Sequence, residues 1–415
     1  MPKVISLFSG AGGLDYGLEA AGFMFGAGVE MDADCVATLA ESRPGWPVLC
    51  RSIFDVPTQE LLDLSASKKG EIDLVAGGPP CQPFSKSGYW AQGDSRRLRD
   101  SRSDTLSAYM QVVREALPRV LLLENVQGLQ YAGKDEGLQL LLHELEEINR
   151  TEGTSYKPSV RVLNAASYGV PQLRERVFII AQREGRHFEF PESTHGPDKA
   201  EPSLLESSDL EPYRTAWDAL ANVSVSEEED LAVRGKWAEL LPSIPEGSNY
   251  LHHTDRGEGL PLFGWRRRYW TFLLKLAKNR PSWTVQAQPG PAVGPFHWSS
   301  RRLSVRELCR LQTFPDDVNV VGRRGSAQRQ IGNAVPSLLA EVIGRAIREQ
   351  LLDERVEERL KLLPLRRCHV PPPEPLAPVP KRFWKLAGDH PAHPGTGRGH
   401  AALARQDQQD EYADL

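Results

Sequence analysis

The 415-residue sequence holds no apolar stretch approaching the about 18 residues that a membrane-spanning helix needs, so no membrane association is expected. Its opening, MPKVISLFSGAGG, lacks a basic segment followed by an apolar one and turns to glycine by Gly10, so a secretory signal is not expected there. Cysteine is scarce: Cys35, Cys50, Cys81, Cys309 and Cys368 form an odd set with no CxxC pair and no histidine cluster beside them. That argues against a disulfide framework and against a zinc or other metal site, and points to a cytoplasmic protein with reduced thiols. No internal repeat is visible. A positive balance is also lacking, since the formal net charge is -5, which by itself speaks mildly against a nucleic-acid partner.

What is present is an ordinary globular composition, 40% hydrophobic and 25% charged, in a chain long enough for two or three domains. The charges are sorted by region. Glu201 to Asp230 holds nine acidic residues and one basic one, Arg214, whereas Gly264 to Arg280 holds six basic residues and no acidic one. A local basic surface therefore survives the negative total.

The first half alternates short apolar runs with helical spacings: strands at Val4–Phe8, Phe25–Glu30, Ile72–Ala76 and Val120–Leu123, and helices at Leu14–Ala21, Asp34–Glu41, Thr105–Leu117 and Leu138–Asn149. Val160–Asn164 and Val177–Ala181 flank a turn and suit a hairpin. Such alternation predicts an α/β fold, a Rossmann-like, mostly parallel sheet with helices on both faces. Residues 191–298 lose this period and gain Pro, Gly and Trp, which predicts a smaller irregular domain inserted between a catalytic domain at 1–190 and its return at 299–352. Helical spacing reappears at Ser304–Leu311 and Pro336–Leu352. From Pro364 onward nine prolines and few strong apolar residues predict that 353–415 is a helix end followed by a disordered tail.

Three places carry chemistry. Ser9-Gly10-Ala11-Gly12-Gly13 joins the first strand to a helix, and its glycines permit a tight turn and close approach of a ligand. Glu30 closes the next strand, where a carboxylate can accept both hydroxyls of a ribose. A plain strand-to-helix turn or a nicotinamide dinucleotide site remains open, although the motif is not GxGxxG. The second place is Gly77-Gly78-Pro79-Pro80-Cys81-Gln82-Pro83-Phe84-Ser85, after a core strand. Two prolines stiffen the backbone before a single sulfur, which suits a nucleophile acting as thiolate, while an inert buried cysteine is the plainer alternative. The stretch from Lys86 to Asp104, with five basic and three acidic residues plus Tyr89 and Trp90, reads as a solvated loop or as a lid over a phosphate backbone. The third place is Glu124, a carboxyl at the end of another core strand, with Arg174 and Arg176 alternating on a later strand so that both point to one face. Partial desolvation would raise the Glu124 pKa and let it share a proton with a ring nitrogen. A helix cap and a surface salt-bridge ladder are the alternatives for these residues.

Taken in order, FSGAGG, Glu30, GGPPCQPFS, LLENVQGL, QLRER, Arg302–Glu307 with Leu311-Gln312-Thr313-Phe314-Pro315, and Gln330-Ile331-Gly332-Asn333-Ala334-Val335-Pro336 resemble the motif set of cytosine-5 DNA methyltransferases of the bacterial restriction-modification type. The resemblance runs from about residue 4 to 350, with a gap over the irregular domain. It implies that Cys81 attacks C6 of a cytosine flipped out of duplex DNA, that Glu124 binds N3 and the amino group, that Arg176 contacts the base and that Arg174 supports the cysteine. The physical logic stands apart from the family: C5 of cytosine is a poor nucleophile until addition at C6 makes it an enamine, and the base must leave the stack to be reached.

The resemblance further implies a pocket for S-adenosyl-L-methionine lined by Phe8, Gly10, Gly12, Glu30, Ile53, Asn333 and Ala334, with Leu106 nearby, and substrate contacts from Pro79, Pro80, Gln82 and Ser85. Where the family carries Asp before Ile, this chain has Ser52 before Ile53, and Met31 follows Glu30 where an aromatic is common. Residues 191–298 take the place of the target-recognition domain, and Trp265-Arg266-Arg267-Arg268-Tyr269-Trp270 suits a DNA-facing element or, equally, a basic segment packed by its aromatics. The expectation is a monomeric enzyme whose functional counterpart is a restriction endonuclease. Rival readings are a tRNA cytosine-5 methyltransferase, a binding protein that has lost the chemistry, and a dinucleotide oxidoreductase. No code links one chain's loops to a target sequence, so the DNA motif is not legible.

Overall fold

The computed structural model describes residues 1–80, 104–126, 136–197, 210–226, 229–265, 269–356 and 359–388. The chain forms two compact units, one of Met1–Leu231, Ala277–Pro289 and Leu303–Pro371, the other of Ala232–Leu276, Gly290–Arg302 and Pro372–Leu415.

In the first unit, strands β1 (Lys3–Leu7), β2 (Met24–Glu30), β3 (Val48–Cys50), β4 (Leu74–Gly77) and β5 (Val120–Asn125) alternate with helices α1 (Gly13–Ala20), α2 (Ala33–Ser42), α3 (Thr58–Leu64) and α4 (Asp104–Ala116). Helix α5 (Glu136–Glu152) then leads to β6 (Ser159–Asn164), the two-residue β7 (Gln172–Leu173) and β8 (Glu175–Gln182). The seven-stranded sheet has the order β3-β2-β1-β4-β5-β8-β6. Its pairs are parallel except those of β8, which runs antiparallel to both β5 and β6. Alternation along each strand splits the core: Ile5, Leu7, Val75 and Leu121 face α3–α5, whereas Val4, Leu74, Ala76 and Leu122 face α1 and α9 (Ser337–Leu351). A sheet buried on both faces explains why its strands read as continuous apolar runs.

The sequence misplaced few boundaries here. Neither β3 nor α3 was expected, and the strand expected at Val120–Leu123, closing at Glu124, runs on as β5 through Asn125. Among the described residues no helix is long and apolar enough to cross a membrane.

The remaining helices of this unit are α6 (Ala216–Leu220), α7 (Val305–Leu311) and α8 (Arg324–Asn333). Ser304 caps α7 through a reciprocal box with Glu307, so RLSVRE is a helix start. Residues Ser282–Trp283 pair in parallel with β7, which draws Ala277–Pro289 out of the expected irregular segment and into the sheet-bearing unit. The 191–298 boundary therefore differs from the structural division, because β7 lies far away in sequence and no local period announces the pairing.

The second unit has no long strand among its described residues. Its core is aromatic: Trp237 stacks on Phe383 at 5.7 Å and meets Phe263 at 5.0 Å, beside Leu240, Leu241, Tyr250 and Phe272. The tail expected to be disordered is thus packed as far as residue 388, since Phe383 is only 3% exposed. Proline-rich chain makes few backbone hydrogen bonds, yet one buried ring anchors it without any period in the sequence.

Candidate active site at the carboxyl ends of the strands

The order of strands reverses at β1, whose neighbours are β2 and β4, and ligands of open α/β sheets bind beyond the carboxyl ends at such a point. Phe8 leaves β1 with φ 58°, and Gly10 and Gly12 follow at φ 55° and 83°. A side-chain carbon on Gly10 would meet nothing within 4 Å, so the turn opens onto free space. Glu30, at the end of β2, accepts from the Gly10 amide (2.8 Å) through Oε2 and from the Asp32 amide (2.8 Å) through Oε1. Both oxygens are oriented by the backbone and each keeps a lone pair.

Phe8 after β1, Ile53 in the turn after β3 and Leu106 on α4 belong to one apolar cluster. Met31 and Phe54, 73% and 58% exposed, stand beside Glu30 and Ile53 in the chain. Asn333 and Ala334 end α8 next to the Gly-rich turn: a Cβ on Gly13 would lie 2.4 Å from the Val335 carbonyl and 2.9 Å from Ala334 Cβ. Asp15, in the first turn of α1, was not expected to matter. Burial lifts its carboxyl to about 7, against the opposing effect of the Ser6 hydroxyl.

On the other side of β1, β4 runs into Gly78-Pro79-Pro80. A Cβ on Gly78 would stand 2.8 Å from Glu124 Oε2, and the Pro79 carbonyl accepts from Asn125 Nδ2 at 3.3 Å. The carbonyl of Pro79 thus has a protein partner, and Asn125 is a residue the sequence reading gave no role. Cys81, Gln82, Ser85 and the Lys86-to-Ser103 segment lie outside the described residues, as do Arg266, Arg267 and Arg268.

Glu124 is paired with Arg176, Nε to Oε1 at 2.9 Å, both side chains nearly buried. Because β8 runs antiparallel, its beginning lies at the carboxyl end of β5, where Val177 opposes Asn125, and this brings Arg176 to Glu124. Burial raises the Glu124 pKa, and the Arg176 and Arg174 charges pull against that rise. Arg174 is not on a strand with Arg176 as expected, but in the one-residue link between β7 and β8. It is 1% exposed and donates to the carbonyls of Val285 (3.2 Å) and Gly332 (2.7 Å). Its burial depresses its pKa, aided by the neighbouring Arg176 charge.

Among the described residues no His/Cys/Asp/Glu group suits a metal ion. The arrangement is that of a doubly wound α/β fold with a backbone-oriented carboxylate beyond one strand and a desolvated acid paired with a guanidinium beyond another. The model of the C-5 cytosine-specific DNA methylase family matches residues 2–349. The chain is 43% identical over 376 residues to the Type II methyltransferase M.SacI of Streptomyces achromogenes, covering 85% of this chain and 94% of that protein. It is 33% identical over 345 residues to the Type II methyltransferase M.NgoFVII of Neisseria gonorrhoeae, covering 81% and 83%. Among solved structures, Spodoptera frugiperda DNMT2 (TM-score 0.57, 15% identity, 84% of this chain and 100% of that one) and Schizosaccharomyces pombe Dnmt2 (0.54, 16%, 85% and 99%) share the fold. The chain belongs to the C-5 cytosine-specific DNA methylase family and is a DNA cytosine-5 methyltransferase. The tRNA alternative is set aside, since the family whose model matches residues 2–349 is one of DNA methylases.

Proposed function

We propose that this enzyme methylates cytosine within a specific duplex sequence through a covalent Cys81 adduct, with S-adenosyl-L-methionine as donor. The observation that carries the reading is the buried Glu124–Arg176 pair lying against Gly78, three residues before Cys81.

Cys81, as thiolate, adds to C6 of the extruded base, forming a C–S bond while Glu124 delivers a proton to N3. A raised Glu124 pKa suits that donation, and Arg176 orients the carboxyl and receives the base's polar edge. C5, now enamine-like, takes up a methyl group. S-adenosyl-L-methionine, when bound, supplies that methyl from a positively charged sulfur. Loss of the C5 proton to a base then expels the cysteine thiolate, and N3 returns its proton to the Glu124 carboxylate, which restores both the ring and the acid. The residues present fit the donor: Glu30 has free lone pairs for ribose hydroxyls, Gly10 faces open space, and Phe8, Ile53 and Leu106 offer apolar surface, while Gly12, Asn333 and Ala334 are assigned to the same pocket on the motif resemblance. Contacts to the base are assigned to Pro79 and Pro80 and, outside the described residues, to Gln82 and Ser85.

The second unit is the part we assign to target recognition, with Trp265, Tyr269 and Trp270 toward DNA. Arg256 lies over the Trp265 ring at 3.7 Å, and Tyr269 and Trp270 are each 46% exposed. We read the enzyme as a cytoplasmic monomer whose functional counterpart is a restriction endonuclease. Host DNA sequenced after bisulfite treatment identifies the target. Target duplex carrying 5-fluorocytosine should then trap a denaturation-resistant complex, because fluorine cannot leave C5 as a proton does. Cys81→Ser should bind the duplex and trap nothing. A stable adduct in that variant, or none in the wild type, overturns the covalent route.

A further inference from the structure

A buried polar network lies between the two halves of the site, and one of its central residues, Gln312, also donates from Nε2 to the Ala334 carbonyl at 3.4 Å. Gln172 is fully buried; its Nε2 donates to the Leu311 carbonyl (3.1 Å) and to Gln312 Oε1 (3.0 Å), and its Oε1 accepts from the Val285 amide (2.9 Å). Gln312, equally buried, donates through Nε2 to the Ile331 carbonyl at 2.7 Å, and its own carbonyl accepts from the Ser337 amide at 3.0 Å. Arg174 closes the circuit by binding the Val285 and Gly332 carbonyls. Gln328 Nε2 adds a bond to the Gln286 carbonyl at 2.6 Å. The packing has no slack: a Cβ on Gly332 would sit 2.4 Å from the Ala287 backbone.

Each end of this network runs straight into the chemistry. Two residues after Arg174 comes Arg176, the partner of Glu124. One residue after Gly332 comes Asn333, and Ala334 and Val335 press on Gly13 of the Gly-rich turn. We propose that Gln172 and Gln312 are positioning residues that couple the methyl-donor pocket to the Glu124–Arg176 pair, so that filling either half tightens the other. The Gln172 and Gln312 amides have their bonds satisfied, and buried satisfied amides resist a small displacement, so a rigid link between two sites carries a coupling that is reciprocal. The inference rests on the donor reading given above.

The test measures binding of target duplex with and without S-adenosyl-L-homocysteine, the unreactive product. Wild-type enzyme should bind duplex roughly tenfold tighter when the product is bound. In Gln172→Leu that factor should fall to about twofold or less while product alone still binds. Gln328→Ala, a milder break of the same clamp, should lower the factor partway, and it decides the matter if the first variant does not fold. A merely structural role would lower the melting temperature and leave the factor untouched; an unchanged factor in both variants overturns the coupling. Wild-type enzyme that binds duplex but not the product would instead remove the donor reading, and the coupling with it.

Discussion

The two compact units solve different problems with different materials. The sheet-bearing unit sets Glu30, Gly78 and Glu124 at the ends of three strands, with hydrogen bonds of 2.8–3.3 Å fixing their surroundings. The second unit holds itself together with stacked rings and short turns, and keeps Tyr269, Trp270 and Trp384 half exposed. Strands bonded along their length place atoms to fractions of an ångström, which a reaction requires. An aromatic core tolerates varied loops around it, which suits reading different DNA sequences on a constant catalytic frame.

The sharpest break of this contrast strikes the sheet. Glu124→Gln keeps the shape and the bond from Arg176 but has no proton to give, and methyl transfer should slow by roughly 10²–10⁴-fold at saturating duplex. A rate within a few-fold of wild type would remove Glu124 from the chemistry. Phe383→Ala strikes the other unit. Losing a ring that is 3% exposed and stacked on Trp237 should cost about 3–5 kcal/mol in denaturant unfolding. Duplex binding should weaken while donor binding persists; equal loss of both would erase the functional division between the units.

The smallest effect concerns Asp15. Its folded pKa is raised to about 7, so its contribution favours the folded state fully below the ordinary carboxylate range and is lost as pH rises toward 7. Wild-type stability should therefore drop by about 2–4 kcal/mol between pH 4 and 8 relative to Asp15→Asn. Urea unfolding across that range measures it, and parallel curves for the two proteins would show that the buried carboxyl does not titrate.

The strands, the Gly-rich turn, Glu30 and Glu124 were legible because each depends on neighbours within a few residues: an apolar run, a turn residue, an acid at its end. Arg176 was legible by type, but its pairing follows from the antiparallel course of β8. Gln172 and Gln312 stand inside the quoted QLRER and Leu311–Pro315 motifs, but their role was not legible, since a glutamine shows no task until a partner 140 residues away is brought to 3.0 Å. Phe383 was hidden for the same reason, a lone ring in proline-rich chain whose partner Trp237 is remote.

What the sequence by itself determined was the alternation of strand and helix, the order of the motifs and thereby the family and the kind of chemistry, because period and turn residues act locally. What only tertiary structure decided was which groups meet: Glu124 with Arg176 and Gly78, the Ser282–Trp283 strand with β7, the buried amide network, and the packing of the tail. Those contacts join residues far apart in the chain, and burial, which sets the charge state of Glu124 and Asp15, exists only once they have formed.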